Sequence, residues 1–245
     1  MRKIEICCSS VADALEAQAG GAVRVELCSA LGLGGITPSH GVIKGVLERC
    51  PELRVHVLIR PREGDFLYSP LEAETMTEEI LRCRELGVHG VVVGALTADG
   101  EVDTALLARL KEAAGPLSVT FHRAFDVCRD PYKALEDIIA AGCDRLLTSG
   151  CRPSAVEGAD TIAALVARAA GRLSVMPGCG VRPSNIADLE RITGATEFHS
   201  SARLHTSSGM VYRSRRVVLS GDPAQEYALS RTDRRIVLQL VDNLR

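Results

Sequence analysis

Short apolar, β-branched runs alternate along the chain with segments of helical periodicity. The runs begin near residues Lys3, Ala22, Arg54, Gly90, Leu117, Asp144, Leu173 and Ala195. Apolar runs of about four to eight residues predict strands, and apolar residues spaced three or four apart predict amphipathic helices. The pattern therefore predicts eight strands that alternate with helices.

Alternating strand and helix units favour a parallel sheet with helical crossovers, and eight such units can close into a barrel. A helix start is indicated by the sequence Ser69-Pro70-Leu71-Glu72, which has the serine, proline and glutamate of a capping box. A doubly wound open sheet is the alternative, but the first turn after a strand, CCSSVADA, lacks its glycine fingerprint. We expect an α/β fold with a single (β/α)8 TIM-type barrel domain over residues 1–245.

The rhythm of strands and helices breaks near the end of the chain. Residues 204–228 are predicted to be irregular and to form either a flap over the barrel or an oligomer contact. An amphipathic final helix is predicted over residues 232–244.

The charge pattern bears on the class of partner. The 245 residues carry a formal net charge of -2, and acidic and basic residues are mixed along the chain. This excludes the basic stripe of a nucleic-acid-binding protein and favours a small molecule or an ion as partner. Of the four lysines, none falls at the end of a predicted strand, so no lysine is a candidate for Schiff-base chemistry.

The cellular setting is predicted from the apolar runs and the cysteines. No apolar run approaches the ~20 residues of a membrane span, and the first strand begins too early for a signal peptide. Nine cysteines without a CxxC pair indicate reduced thiols. We expect a cytoplasmic protein with no membrane partner.

Polar residues recur where the predicted strands end, and the C-terminal strand ends of a barrel meet at the mouth that holds the site in known barrel enzymes. They are Glu5 and Cys7, Glu26 and Cys28, Arg60, His122, Ser149 and His199. Because side chains alternate along a strand, Cys7 shares a face with Glu5, whereas Cys8 points to the other face. Cys7 and Cys28, on adjacent strands, are candidate ligands for Cu(I), which thiolates select. The alternative is a pair of buried thiols in the core.

Two further groups at the mouth are candidates for acid–base chemistry or anion binding. The segment 120–126 holds His122, a candidate general base or metal ligand, and Asp126, which would fix its tautomer. An ion-paired corner is the alternative. Arg60 and Arg62 suit a carboxylate or phosphate, or they neutralise the strand-end glutamates in an internal network.

A glycine-rich turn follows the seventh strand. Gly178 and Gly180 precede a predicted helix, and Arg203 follows the eighth strand. Backbone N–H groups bind phosphate at this place in many barrels, so these three residues are candidates for an anion site. Glycine turns of this kind also occur for steric reasons alone.

Several long motifs together resemble the CutC family of copper homeostasis proteins. They are ELCSALGLGGITPSHG, IRPREGDFLYS, TFHRAFD, LTSGC, MPGCGV and ATEFHSSAR, and they follow in order from Ile4 to about Arg203. The resemblance implies a TIM-type barrel, a cytoplasmic location, self-association as a homodimer or higher oligomer, and a role in copper tolerance or trafficking. For the thiol site proposed in that family, the matching positions are Cys7 and Cys28. The chain departs from the family pattern at Glu63, where glycine is common, and at Ser200, where some members have cysteine.

Three functional hypotheses remain. In the first, the chain is a copper homeostasis protein that binds Cu(I) through the two thiolates. In the second, it is an enzyme acting on a small anionic or phosphorylated metabolite, with Glu26, Arg60, His122 and Asp126 as candidate catalytic residues. In the third, it is an oligomeric scaffold with an inert mouth.

Overall fold

The structure is a computed structural model that describes residues 2–214, 216–217 and 226–244. Its strands are β1 (Lys3–Cys8), β2 (Arg24–Leu27), β3 (Arg54–Leu58), β4 (Gly90–Val93), β5 (Ser118–Phe121), β6 (Arg145–Thr148), β7 (Ser174–Pro177), β8 (Glu197–Ser200), β9 (Arg203–Ser207) and β10 (Ala228–Thr232). Its α-helices are α1 (Val11–Ala19), α2 (His40–Arg49), α3 (Pro70–Leu86), α4 (Thr104–Ala114), α5 (Pro131–Ala140), α6 (Ala159–Ala169), α7 (Ile186–Thr193) and α8 (Arg234–Asp242).

Strands β1 to β8 form a nearly closed parallel barrel. Each strand from β1 to β6 pairs in parallel with the next one along the chain, and β8 pairs in parallel with β1, so that β7 and β8 stand at the two ends of the strand order. The connecting segments carry helices that cover the outside. This arrangement confirms the predicted TIM-type barrel and excludes the open-sheet alternative.

Local signals for helix boundaries act as the sequence predicts. The Ser69 hydroxyl accepts a hydrogen bond from the backbone N–H of Glu72, and the Glu72 carboxylate accepts one from the N–H of Ser69. This is a complete capping box at the start of α3, with Pro70 in the first turn. The prediction for this helix start is confirmed.

The apolar core is divided by the barrel wall. The larger cluster fills the space between the barrel and its helices and includes Cys8. A smaller cluster of Cys7, Cys28, Leu58 and Val92 lies separately from it. The opposite orientations of Cys7 and Cys8 confirm the expected alternation of faces along β1.

A charged network occupies the barrel interior. Arg24 is only 2% exposed and contacts the carboxylates of Glu5 and Glu197. Arg145 donates to Glu197 at 2.7 Å. A buried carboxylate is costly unless it is paired, and here the pairing comes from Arg24. The alternative that Arg60 and Arg62 neutralise Glu5 and Glu26 is therefore wrong for Glu5.

The segment predicted to be irregular has regular ends. Strands β9 and β10 pair in antiparallel fashion from Arg203 to Ser207 and from Ala228 to Thr232. Residues 215 and 218–225 of the predicted segment lie outside the described residues. The roles of flap and oligomer contact stay predictions. Within the described part of the chain, no helix is both long and apolar enough to cross a membrane.

Candidate metal centre at the barrel mouth

Two thiols meet at the C-terminal ends of the first two strands. Cys7 lies opposite Glu26 in the pairing of β1 with β2, and Cys28 follows immediately after β2. Their Sγ atoms are 3.5 Å apart, and both side chains are buried. The hydrogen bond with Cys28, together with burial, raises the pKa of the Cys7 thiol well above its usual value. The pair is therefore protonated at Cys7 in the absence of a metal ion.

A carboxylate and an imidazole complete the cluster around Cys7. The ligand atoms of Cys7, Glu26 and His199 all lie within 4.8 Å of one another. These residues come from β1, β2 and β8, which are neighbours only because β8 returns to pair with β1. Burial raises the pKa of Glu26, although the nearby His199 opposes the shift.

The orientation of His199 is set by Glu5. Nδ1 of His199 lies 2.7 Å from Oε1 of Glu5, and Nε2 lies 3.8 Å from Oε2 of Glu26. Burial favours the neutral imidazole, but contacts with Cys7 and Glu5 raise the pKa of His199 well above its usual value. In the same way, burial opposes ionisation of Glu5, but Arg24 and His199 lower its pKa far below the usual range. Glu5 is thus an ionised acceptor that leaves Nε2 facing the thiol and Glu26.

The donor set fits a thiophilic metal ion. The sulfur separation of 3.5 Å is shorter than two metal–thiolate bonds of about 2.3 Å each, so both sulfurs can contact one ion without strand movement. A histidine whose second nitrogen is held by a carboxylate is the usual arrangement for a metal-bound imidazole. Soft sulfur donors favour Cu(I) or zinc over magnesium or calcium.

His122 lines the same cavity, which encloses about 170 Å³, but is held differently from the expectation. Its Nδ1 accepts a hydrogen bond from the N–H of Ala124, and neither ring nitrogen is bonded to Asp126. Burial and the neighbouring Arg60 lower the pKa of His122 to about 3. The expectations of a near-neutral base and of a tautomer fixed by Asp126 are therefore wrong. The neutral ring carries its proton on Nε2, because Nδ1 is an acceptor.

Asp126 connects the loops that follow β5 and β6. It accepts hydrogen bonds from Arg123 Nε at 2.7 Å, from Thr148 Oγ1 at 2.5 Å and from the backbone N–H of Ser149 at 3.0 Å. The N–H of Cys151 is a further donor at 3.2 Å. These contacts agree with the alternative stated for the segment 120–126, which is an ion-paired corner.

Arg60 and Arg62 are largely occupied by the protein itself. Arg60 donates to the carbonyl oxygens of Leu33, Gly35 and Gly64. The Arg62 side chain lies beside the capping box of α3, where it contacts Glu72 and Asp65. Arg60 borders the mouth cavity, whereas Arg62 is not among the described residues that line it.

Of the three candidate residues for an anion site, two line a cavity and one is closely packed in the interior. Gly178 is buried, and a side chain there would lie 2.4 Å from Leu147, so close packing accounts for this glycine. Gly180 and Arg203 line a larger cavity beside the mouth. Arg203 reaches Asp13 at 3.4 Å and the hydroxyl of Ser9 at 3.1 Å.

His199 lies at a predicted strand end, but its place in the sequence does not by itself mark it as a ligand. The available signal was its spacing from Glu197, which places both residues on one face of β8. Ring closure then brings that face beside Cys7 on β1. Arg24 was missed, although the same alternation places it on the face of β2 that carries Glu26.

Comparison with known proteins identifies the family. The CutC family model matches residues 2–204. The chain belongs to the CutC family. A CutC family protein of Parabacteroides distasonis is 53% identical over 234 residues, which cover 95% of this chain and 96% of that protein. A CutC family protein of Chromobacterium violaceum is 53% identical over 229 residues, which cover 94% and 92% of the two chains.

A solved CutC structure shows the same fold. The crystal structure of CutC from Streptococcus agalactiae, for which copper homeostasis is the suggested role, superposes with a TM-score of 0.79 at 36% identity. The match covers 82% of this chain and 99% of that one. The family resemblance inferred from the motifs is thereby confirmed.

Proposed function

We propose that this CutC protein binds Cu(I) as its cargo at the barrel mouth and serves in copper homeostasis. Cys7 and Cys28 supply the thiolate ligands and His199 supplies an imidazole nitrogen. Glu26 lies close enough to balance charge or to complete the coordination. A cytoplasmic location, in which the thiols stay reduced, is part of the proposal.

The approach of the two sulfur atoms to 3.5 Å is the observation that carries this proposal. Thiolate ligands select Cu(I) over the hard cations that prefer oxygen. The second support is the contact of Glu5 with Nδ1 of His199, since it leaves Nε2 for the ion. The family name and the suggested role of the Streptococcus agalactiae protein agree with this assignment.

The test is an anaerobic titration of the reduced protein with Cu(I) in competition with a chromophoric chelator. The wild type is compared with the Cys7→Ser/Cys28→Ser variant and with Cys50→Ser/Cys83→Ser, which removes two other buried thiols. We expect the wild type and the control to bind one ion per chain. The Cys7→Ser/Cys28→Ser variant should lose at least about a hundredfold in affinity, because its hydroxyls are poor ligands for a soft ion.

Circular dichroism of each variant establishes that the fold is intact. Equal Cu(I) affinity in the wild type and the Cys7→Ser/Cys28→Ser variant would contradict the assigned site. A parallel titration with Zn(II) tests the identity of the metal, because two thiols, an imidazole and a carboxylate also suit zinc. Displacement of bound Cu(I) by equimolar Zn(II) would contradict copper as the cargo.

A further inference from the structure

A larger cavity adjoins the metal centre and encloses about 850 Å³. This volume lies within the range of about 300–1,000 Å³ that is typical of small-molecule sites. Its walls are formed by residues 179–184 after β7, residues 199–203 around the end of β8, and parts of β9, β10 and α8. We call it the basic cleft. It shares Cys7, Arg123 and His199 with the mouth cavity, so the two spaces are neighbours.

The described residues that line the basic cleft carry only one sign of charge. Its ionisable groups other than thiols are Arg123, Arg182, Arg203, His199 and His205. The described residues that line it include no Asp or Glu. Four serines, Ser184, Ser200, Ser201 and Ser230, add hydroxyl groups. Such a lining attracts an anion and supplies several hydrogen-bond donors to its oxygens.

The three arginines of the basic cleft differ in whether their side chains already have a partner within the protein. Arg123 donates to Asp126, and Arg203 lies 3.4 Å from Asp13. Arg182 is exposed in the loop before α7 and forms no ion pair with any described residue. Nε of Arg203 is buried without a hydrogen-bond partner in the described part of the chain. Because buried donors are nearly always paired, Arg203 retains unused capacity to bind an acceptor.

The backbone of the cleft is held in a defined shape. Cys179 and Gly180 adopt positive φ angles of 72° and 79°. The Asn185 side chain accepts a hydrogen bond from the N–H of Arg182 and donates one to the carbonyl oxygen of Gly180. Helix α7 begins at Ile186, directly after this loop. The positive end of its dipole adds to the charge of the arginines.

We propose that the basic cleft binds a small phosphorylated metabolite. The phosphate group lies at Arg182 and the loop before α7, and the organic part extends between Arg123 and the metal centre. A phosphate offers three oxygens and nearly two negative charges, which match several guanidinium groups and hydroxyls better than one carboxylate does. This proposal goes beyond copper binding and does not depend on it.

The test is isothermal titration calorimetry at low ionic strength with a defined panel of ligands. The panel contains inorganic phosphate, glycerol 3-phosphate, ribose 5-phosphate, the unphosphorylated glycerol and ribose, and malate as a dicarboxylate. We expect at least one organic phosphate to bind about tenfold more tightly than inorganic phosphate, because the cleft contacts more than the phosphate group. Added salt should weaken this binding.

Two matched arginine variants locate the site. Arg182→Ala should weaken binding of the organic phosphate at least about tenfold, because it removes a charged hydrogen-bond donor. Arg191→Ala removes an exposed arginine of α7 that pairs with Asp188 and does not line the cleft. The affinity of the Arg191→Ala variant for the organic phosphate should stay within about twofold of that of the wild type. Both residues are exposed, so the fold should tolerate each change.

The outcomes separate this proposal from copper binding. Cys28 borders the metal centre but not the basic cleft. Cys28→Ser should therefore reduce Cu(I) affinity and leave phosphate binding unchanged. Arg182→Ala should reduce phosphate binding and leave Cu(I) affinity unchanged. Absence of binding by every phosphate, equal affinity for inorganic and organic phosphates, or an Arg182→Ala variant that binds like the wild type would overturn the proposal. Binding of malate as tight as that of the phosphates would overturn the assignment to phosphate.

Discussion

Nδ1 of His199 lies 2.7 Å from Oε1 of Glu5, although 194 positions separate the two residues in the sequence. Glu5 is fully buried and also contacts Arg24, so the carboxylate is held from two sides. A carboxylate behind a histidine fixes the ring and makes its second nitrogen a better metal ligand. The contact therefore links the charged interior of the barrel to the metal centre above it.

Replacement of Glu5 tests this link. Glu5→Gln keeps the side-chain size but removes the charge that orients His199. We expect Cu(I) affinity to fall by about 10- to 100-fold, which is the usual effect of losing such a partner. The measurement is the anaerobic Cu(I) titration in competition with a chromophoric chelator.

Glu197→Gln is the matched control for this experiment. Glu197 contacts Arg24 at 2.6 Å and Arg145 at 2.7 Å within the same network. It forms no described contact with His199. Affinity should therefore stay near that of the wild type, even if the fold loses stability. An equal loss of affinity in both variants would mean that Glu5 acts only through the stability of the barrel.

Arg24 is predicted to be indispensable to the stability of the barrel. Arg24→Met leaves the carboxylates of Glu5 and Glu197 without their central partner. Removing one member of a buried ion network costs about 3–5 kcal/mol, because the two remaining carboxylates lose a charged partner away from water. Urea unfolding of the variant measures the loss.

A surface arginine provides the comparison for Arg24. Arg82 on α3 pairs with Glu78 and Glu85, and all three side chains are more than half exposed. Arg82→Met should leave the free energy of unfolding nearly unchanged, because exposed ion pairs contribute little to stability. If Arg24→Met lowered the free energy of unfolding no more than Arg82→Met does, the interior network would not stabilise the barrel.

The barrel could be predicted from the sequence because its elements are defined locally. Each predicted strand start lies within two residues of the observed one, as at Leu117 against Ser118 and Ala195 against Glu197. The meeting of Cys7 and Cys28 also follows locally, from alternation along two consecutive strands. The role of His199 needed knowledge that β8 closes against β1, which is a contact across almost the whole chain.

The orientations of other polar groups could not be predicted for a similar reason. The backbone carbonyls that hold Arg60 come from two different loops, at residues 33–35 and at Gly64. The partners of Asp126 are Arg123 in its own loop and residues 148–151 at and after the end of β6, not His122. These pairings depend on loop conformations, and the order of polar residues in the sequence does not encode them.

Self-association is predicted to involve the segment after β9. Met210, Val211 and Tyr212 are exposed in succession, and Val211 is 98% exposed. Adjacent exposed apolar side chains of this kind commonly mark a contact with another chain. We expect the wild type to sediment as a homodimer or a higher oligomer, and Val211→Ser/Tyr212→Ser to shift it towards monomer.

Sedimentation velocity over a range of concentrations measures this shift. Leu71→Ser is a suitable control, because Leu71 is 74% exposed on α3 and lies outside the segment. It should leave the oligomer unchanged. A monomeric wild type, or dissociation by Leu71→Ser to the same extent, would contradict a contact at residues 210–212.

Two buried histidines are predicted to make the fold sensitive to acid. Burial lowers the pKa of His56 to about 3, and burial with Arg60 does the same for His122. In the unfolded chain both groups take up protons near pH 6.5, whereas in the folded chain they resist protonation until about pH 3. Their contribution is therefore complete above pH 6.5 and is lost as the pH falls. For the two groups together the loss between pH 6 and pH 5 is about 2.4 kcal/mol.

Substitution of His56 isolates its share of this slope. The raised pKa of Glu26 acts in the opposite direction, and Glu5, Arg24, Arg145 and His89 surround His56. These groups are common to the wild type and to His56→Leu, so the difference between their slopes reports His56. Urea unfolding at pH 6 and pH 5 should show a slope smaller by about 1.2 kcal/mol per pH unit in His56→Leu. His40→Leu, which alters an exposed residue at the start of α2, should keep the wild-type slope. If His56→Leu also kept it, His56 would not be the buried neutral group that the structure indicates.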